Sequence, residues 1–117
     1  MKWRSKSRKG ENNVPIVKFT QPAEFDLQLI ENYISYELQN PQAADDTIDG
    51  IVEEAENLAT FPEKHQFVTD PILARLGFRM TWYGNYNIFY IYDEFEDIVH
   101  IIRVLYDKQD WRTILKR

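Results

Sequence analysis

The side chains that carry acid–base, metal and nucleotide chemistry are thinly spread along this chain. Its two histidines, His65 and His100, stand 35 residues apart with no ligand spacing between them, so they read as framework or surface groups, not a metal site. No cysteine is present, which leaves no thiolate ligand and no disulfide. With only four glycines there is no glycine-rich loop to cradle a phosphate. Asp45, Asp49, Glu53 and Glu56 recur at helical spacing, the pattern of a solvated acidic helix face. Tyr83, Tyr86, Tyr90 and Tyr92 offer ring faces that could stack bases, yet strand alternation turns half of them into a core, and the cations that accompany stacking are few. Neither a cofactor nor a metal is expected. The remaining candidates lie toward the C-terminus: Arg79, Arg103, Lys108, Trp111 and Arg112. Trp and Arg are the residues that anchor protein interfaces. Arg103 shares strand parity with Val99, Ile101 and Leu105, and if that face is buried the cation needs a carboxylate partner. Trp111 reads either as a cap on a core or as an interface anchor.

Charge narrows the range of partners. The first nine residues hold Lys2, Arg4, Lys6, Arg8 and Lys9 without an acid, a charge of +5. The other 108 residues carry nine basic and nineteen acidic groups, a balance of −10. So acidic a body is a poor general ligand for nucleic acid, which is held by clustered Lys and Arg. Residues 1–13 read as a basic, poorly ordered extension, and residues 14–117 as one domain. No apolar run approaches the roughly 18 residues of a membrane span, and no apolar segment follows the basic start as a secretory signal requires. A cytoplasmic protein is expected, in keeping with the absence of cysteine.

The elements that position the candidate residues follow from periodicity. Val14 to Thr20 is rich in β-branched residues and predicts a first strand, with Pro15 at its start. Leu27, Ile30, Ile34 and Leu38 recur at helical spacing, predicting a helix over 23–39 with Pro22 in its first turn. Asn40-Pro41 predicts an N-cap and first helical residue for a second helix, whose stripe is Ala44, Ile48, Ile51, Ala55 and Leu58. Pro62 stops it. Two helices so closely joined form a hairpin that needs a sheet to cover its apolar face. Three aromatic-rich runs supply that sheet: Gly77 to Trp82, Tyr86 to Tyr92 and Ile98 to Tyr106, joined through Gly84-Asn85 and an acidic turn at 93–97. Asp107 to Leu115 predicts a short C-terminal helix, with Trp111 and Leu115 on one side. The fold class is α+β, in the order β-α-α-β-β-β, with a helical hairpin packed on a small antiparallel sheet.

Four passages in this order resemble the RelE/ParE superfamily of bacterial type II toxins. They are Phe19-Thr20 with Ala23 and Asp26-Leu27; Pro41 with Ala43 and Ala44; Gly77-Phe78-Arg79 ahead of the run Gly84 to Tyr90; and Ile102-Arg103-Val104-Leu105 followed by Asp110-Trp111. The resemblance spans about Ile16 to Leu115 and leaves the basic extension outside. It implies a small growth-inhibiting toxin, neutralised by a cognate antitoxin and acting by one of two routes. RelE-like members cleave messenger RNA on the ribosome; ParE-like members poison DNA gyrase without enzymatic chemistry.

The residues at the matching positions discriminate between these routes. Cleaving RNA requires cations that stabilise the pentavalent phosphorane and the leaving oxygen. Asn85 and Asn87 stand where many RelE-like relatives carry arginine, and Tyr106-Asp107-Lys108 where they often read histidine, glycine, arginine. Arg79, Arg103, Lys108 and Arg112 would be the catalytic candidates of an endoribonuclease, a thin set on an acidic body. As a ParE-like inhibitor, the chain would use Arg79, Arg103, Lys108, Trp111 and Arg112 to bind target or antitoxin. The ParE-like reading is favoured; a ribosome-dependent endoribonuclease is the alternative, and a non-toxic interaction module on the same fold is the third. Assembly is expected as a hetero-oligomer with the antitoxin or as a homo-oligomer.

Overall fold

The computed structural model describes residues 15–117, so the basic extension and Val14 lie outside the described residues. Strand β1 (Ile16–Phe19) leads through Thr20 into helix α1 (Gln21–Asn32), which widens into a π-helical turn at Tyr33–Glu37. Helix α2 (Pro41–Glu56) ends in a 3-10 turn at Asn57–Ala59. A short helix α3 (Pro71–Arg75) precedes the meander β2 (Phe78–Tyr83), β3 (Tyr86–Asp93) and β4 (Ile98–Tyr106), and helix α4 (Trp111–Leu115) closes the chain.

The caps explain the boundaries. Thr20 Oγ1 accepts from Ala23 N–H, and Asn40 Oδ1 accepts from Ala43 N–H, so each long helix begins at a side chain that satisfies an otherwise orphaned donor. Pro22 and Pro41 fall in first turns, where proline costs no hydrogen bond. Helix α3 was not anticipated, although Asp70-Pro71 carries the same signal: Asp70 Oδ1 accepts from Ile72 and Leu73 N–H. Gly84, at φ +56°, supplies the left-handed residue that the β2–β3 turn needs.

The sheet order is β1-β4-β3-β2. The meander is antiparallel as expected, while β1 pairs with β4 in parallel, so the four-stranded sheet is mixed. The helices and the connection to Phe78 carry the chain from one sheet edge to the other and bring β2 in along the direction of β1. β4, two reversals later, therefore also runs with β1.

Each sheet face has its own core. The helix-covered face joins Leu27, Ile30, Ile48, Ile51 and Ala55 to Ile88, Tyr90, Val99, Ile101 and Val104. The opposite face buries Val68, Leu73, Phe78, Phe89 and Leu105 under α3, α4 and the 67–68 segment. Simple alternation along β4 predicted one parity for Val99, Ile101, Arg103 and Leu105, and the structure departs from it. Ile101 pairs with Tyr90 and Arg103 with Phe89, leaving Ile102 as an extra residue in a bulge. Beyond the bulge Val104 joins the helix-side core and Leu105 the opposite one. The bulge sits where β1 ends: Thr20 N–H donates to the Ile101 carbonyl, and the Thr20 hydroxyl is shared between the carbonyls of Ile101 and Ile102.

Candidate functional site

Beyond the bulge, β4 has a strand neighbour only on its β3 side, and α1 lies along the other. Asp26, in α1, is 5% exposed and is the one charged group among that helix's buried positions. Its carboxylate accepts from Arg103 Nε at 2.7 Å and Nη2 at 2.9 Å, and also from the Val104 N–H at 2.9 Å. This is the carboxylate partner that burial of Arg103 required. The hydrogen bonds that Arg103 donates to Asp26 hold its pKa above the ordinary value, against the opposing effect of burial. Asp26 stands at helical spacing within the stripe Ala23, Leu27, Ile30, and an acid inside an apolar stripe is the signal that would have named it as the partner.

Alongside this pair runs a groove of about 590 Å³ between α1 and the end of β4, lined by Leu29, Tyr33, Leu38, Tyr86, Val104 and Tyr106 among others. Leu29, Tyr33, Leu38 and Tyr106 are exposed along it, and Phe25 and Tyr36 continue the apolar surface over α1 and the π turn. Its edge carries no free backbone donor at two key positions: Asp26 takes the Val104 N–H, and Gln109 Oε1 accepts from the Tyr106 N–H at 3.0 Å.

The other basic candidates lie elsewhere. Arg79 donates to the His65 carbonyl at 2.6 Å, its guanidinium sits 4.0 Å over the Phe67 ring, and Glu63 lies 4.0 Å away. Only 13% of its side chain is exposed, so it fastens the 63–68 segment to β2. Trp111 is half-buried, its ring 5.2 Å from that of Phe89. Arg112 lies over the Trp111 ring at 4.4 Å and reaches Thr69 Oγ1 at 3.4 Å. Lys108 is exposed in the turn after β4 and makes no ion pair among the described residues. The structure thus separates the set. Arg103 belongs to the groove, Arg79 and Arg112 both end against the segment before α3, and Lys108 stands apart.

Near Arg79 and Trp111 a smaller cavity of about 310 Å³ is lined by His65, Phe67, Met80, Trp82 and Trp111. Burial there lowers the His65 pKa, with Lys64 adding to the effect and Glu54 opposing it. Two tyrosines of β3, Tyr90 and Tyr92, are framework groups. Tyr90 is fully buried, donates to the Pro62 carbonyl and is pushed up to about 12 by burial; Tyr92 donates to Asp97 and is also raised to about 12. No group of three His, Asp or Glu among the described residues could hold a metal ion. No helix among them is long and apolar enough to cross a membrane.

Comparison with known proteins agrees with this architecture. Two solved structures superpose over most of the chain. One is the RelBE2 toxin–antitoxin complex of Mycobacterium tuberculosis, with TM-score 0.58, 22% identity, and coverage of 80% of this chain and 98% of that one. The other is a chromosomal ParDE toxin–antitoxin system of P. aeruginosa, with TM-score 0.65, 18% identity, and coverage of 81% and 98%. At such identities these likenesses show the fold. Among curated proteins there is no match. The profile of a family described as the ParE toxin of type II toxin–antitoxin systems matches residues 17–111, from β1 to the first residue of α4, and the chain therefore belongs to that family of toxins.

Proposed function

We propose that this toxin arrests growth by docking on a protein target, with DNA gyrase favoured, and that a cognate antitoxin silences it. The observation that carries this reading is the commitment of its arginines. Stabilising a phosphorane requires several cations aimed at one point and free to meet it. Arg103 is engaged by both oxygens of Asp26, and Arg79 is engaged by the His65 carbonyl and the Phe67 ring. Arg112 and Lys108 remain and share no focus. Docking asks only for surface: Trp111 with Arg112 over its ring supplies an aromatic and cationic patch suited to a protein partner.

The antitoxin surface in this reading is the groove beside α1. Leu29, Tyr33, Leu38 and Tyr106 present apolar area that an amphipathic helix covers at i, i+3 and i+4 spacing. Sealing of the adjacent edge by Asp26 and Gln109 favours a helix over an added strand.

The test is biochemical. Purified toxin added to purified gyrase is expected to block supercoiling of relaxed plasmid while leaving messenger RNA on translating ribosomes uncut. Ribosome-dependent RNA cleavage with unimpaired supercoiling would replace this reading with the endoribonuclease one. Inactivity of folded protein in both assays, with host growth unaffected, would leave a non-toxic interaction module.

A further inference from the structure

The groove beside α1 is unevenly equipped for hydrogen bonding. Arg103 binds Asp26 through Nε and Nη2, and its Nη1 makes no hydrogen bond among the described residues. A second edge of the guanidinium is thus open, on a side chain that is 29% exposed. Tyr33, Tyr86 and Tyr106 also line the groove, and none of their hydroxyls hydrogen-bonds to another described residue. The Tyr86 and Tyr106 rings lie 5.8 Å apart. Burial raises the Tyr86 pKa, with Tyr106 and Tyr33 adding to the effect, so this phenol keeps its proton. The acceptors beside these donors are engaged. Arg103 and Val104 take both oxygens of Asp26, and the Tyr106 N–H takes Gln109 Oε1. Asn85 adds a carboxamide, which carries both kinds of group.

A partner that covers Leu29 and Leu38 removes water from these donors as well. Each donor left without an acceptor under that cover weakens binding, because it gives up water's oxygen and gains nothing in exchange. A purely apolar helix is therefore a poor occupant. A lysine-bearing one is poorer, since an ammonium only donates and would lie against Arg103. The chain's net charge of −5 attracts cations, but such attraction is screened beyond about 8 Å at physiological salt, so it guides approach and does not set the contacts. At contact distance a carboxylate answers both the guanidinium edge and the phenols, through charge-assisted bonds.

We propose that the occupant of the groove is an acidic amphipathic helix. Its apolar stripe covers Leu29 and Leu38, and its flanking carboxylates accept from the open edge of Arg103 and from the hydroxyls of Tyr33, Tyr86 and Tyr106. This rests on the groove being the antitoxin surface, and it adds the chemistry that tells the correct helix from others. Arg103 thereby serves twice, holding Asp26 with one edge and the partner with the other.

Three stapled peptides of about four turns, each with leucine at i, i+3, i+4 and i+7, test this on the full chain. The residues flanking the stripe are both Glu, both Gln or both Lys, and the staple keeps all three helical whatever the end charge. The Glu peptide should bind about tenfold tighter than the Gln peptide, and the Lys peptide weakest of the three. Binding should shift the amide resonances of Leu29, Leu38 and Tyr106. A variant carrying Tyr33→Phe, Tyr86→Phe and Tyr106→Phe keeps the rings and removes the hydroxyls, and in it the advantage of Glu over Gln should fall several-fold. Gln or Lys binding in the groove as tightly as Glu would overturn the need for carboxylates and leave the antitoxin surface standing. An advantage unchanged in the triple variant would overturn the role of the phenols. If no peptide shifts the groove resonances, the groove is not a helix site, and the antitoxin surface falls with it.

Discussion

The two faces of the sheet are built on different principles. Under the helical hairpin, side chains from five elements close a continuous apolar core, and its one buried charge is matched by an arginine and a backbone N–H. Among the described residues the opposite face buries only five apolar side chains, and its cover is a short segment and two five-residue helices. Polar ties hold that cover: Arg79 to the His65 carbonyl, Lys116 to Asp70 at 2.8 Å, Arg112 to Thr69. Contact area stabilises the first face, whereas individual bonds stabilise the second. Substitutions under the helices should therefore unfold the molecule, and those on the other face should loosen its cover while the sheet persists.

That contrast can be broken or sharpened by measurement. The largest effect should come from Leu27→Ala, where a side chain with no exposure leaves a cavity among α1, α2 and β4; a loss of about 3–4 kcal/mol in urea unfolding is expected. Asp26→Ala should follow at about 2–3 kcal/mol, since it strands Arg103 and the Val104 N–H together. Replacing both partners, Asp26→Leu with Arg103→Met, should return most of that loss. If the double variant is no better than the single one, the two side chains do not act as a unit. Trp111→Ala should cost about 1–2 kcal/mol and raise hydrogen exchange in α4 well before β3, because the ring is only half-buried against Phe89. Uniform acceleration across the sheet would erase the distinction between the faces.

The faces should also fail at opposite ends of the pH scale. On the helix side, Tyr90 has its pKa raised by burial to about 12, above its unfolded value near 10. Its contribution is complete below pH 10 and is lost as pH climbs toward 12, so Tyr90→Phe should flatten the alkaline limb of a stability–pH curve. On the other side, the Lys116 and α3 backbone hydrogen bonds hold Asp70 below its ordinary value. Its contribution is present above about pH 4 and fades as pH falls through the lower folded value. Asp70→Asn should remove that acid-side loss, the smallest effect of the series, read as exchange in α3 and α4.

What could be read ahead of the structure follows the same division. The α2 stripe and the three meander strands are local patterns repeated over many residues, and they appear where periodicity put them. Asn40-Pro41 and Pro22 were legible because a cap is a short-range bargain between a side chain and the next turn. The β4 bulge was not, because its cause is Thr20, which reaches the Ile101 and Ile102 carbonyls from more than eighty residues away. The need of Arg103 for a carboxylate was visible in its strand, but the identity of that carboxylate required α1 to be placed against β4. The basic candidates can be listed from the sequence, but their separation into distinct surroundings cannot, since sequence proximity of Lys108, Trp111 and Arg112 says nothing about which side of a sheet each meets. The direction of β1 has the same origin: a strand's residues fix its pleat, and the path of the intervening helices fixes its neighbour.

The carboxylate of Asp26 gives the groove a thermodynamic signature. A segment that hydrogen-bonds to the β4 edge at Val104 must first take that N–H from Asp26, and so weakens the hold on Arg103. The cost of that exchange lowers the observed affinity, and with it the thermal protection, which follows from affinity and concentration together. A partner that covers Leu29 and Tyr33 and leaves the edge alone keeps the Asp26–Arg103 pair intact and bears no such cost. Freeing the Val104 N–H by Asp26→Ala should therefore tighten a binder of the edge and leave a binder of Leu29 and Tyr33 unchanged, which reports the half of the groove that each has used.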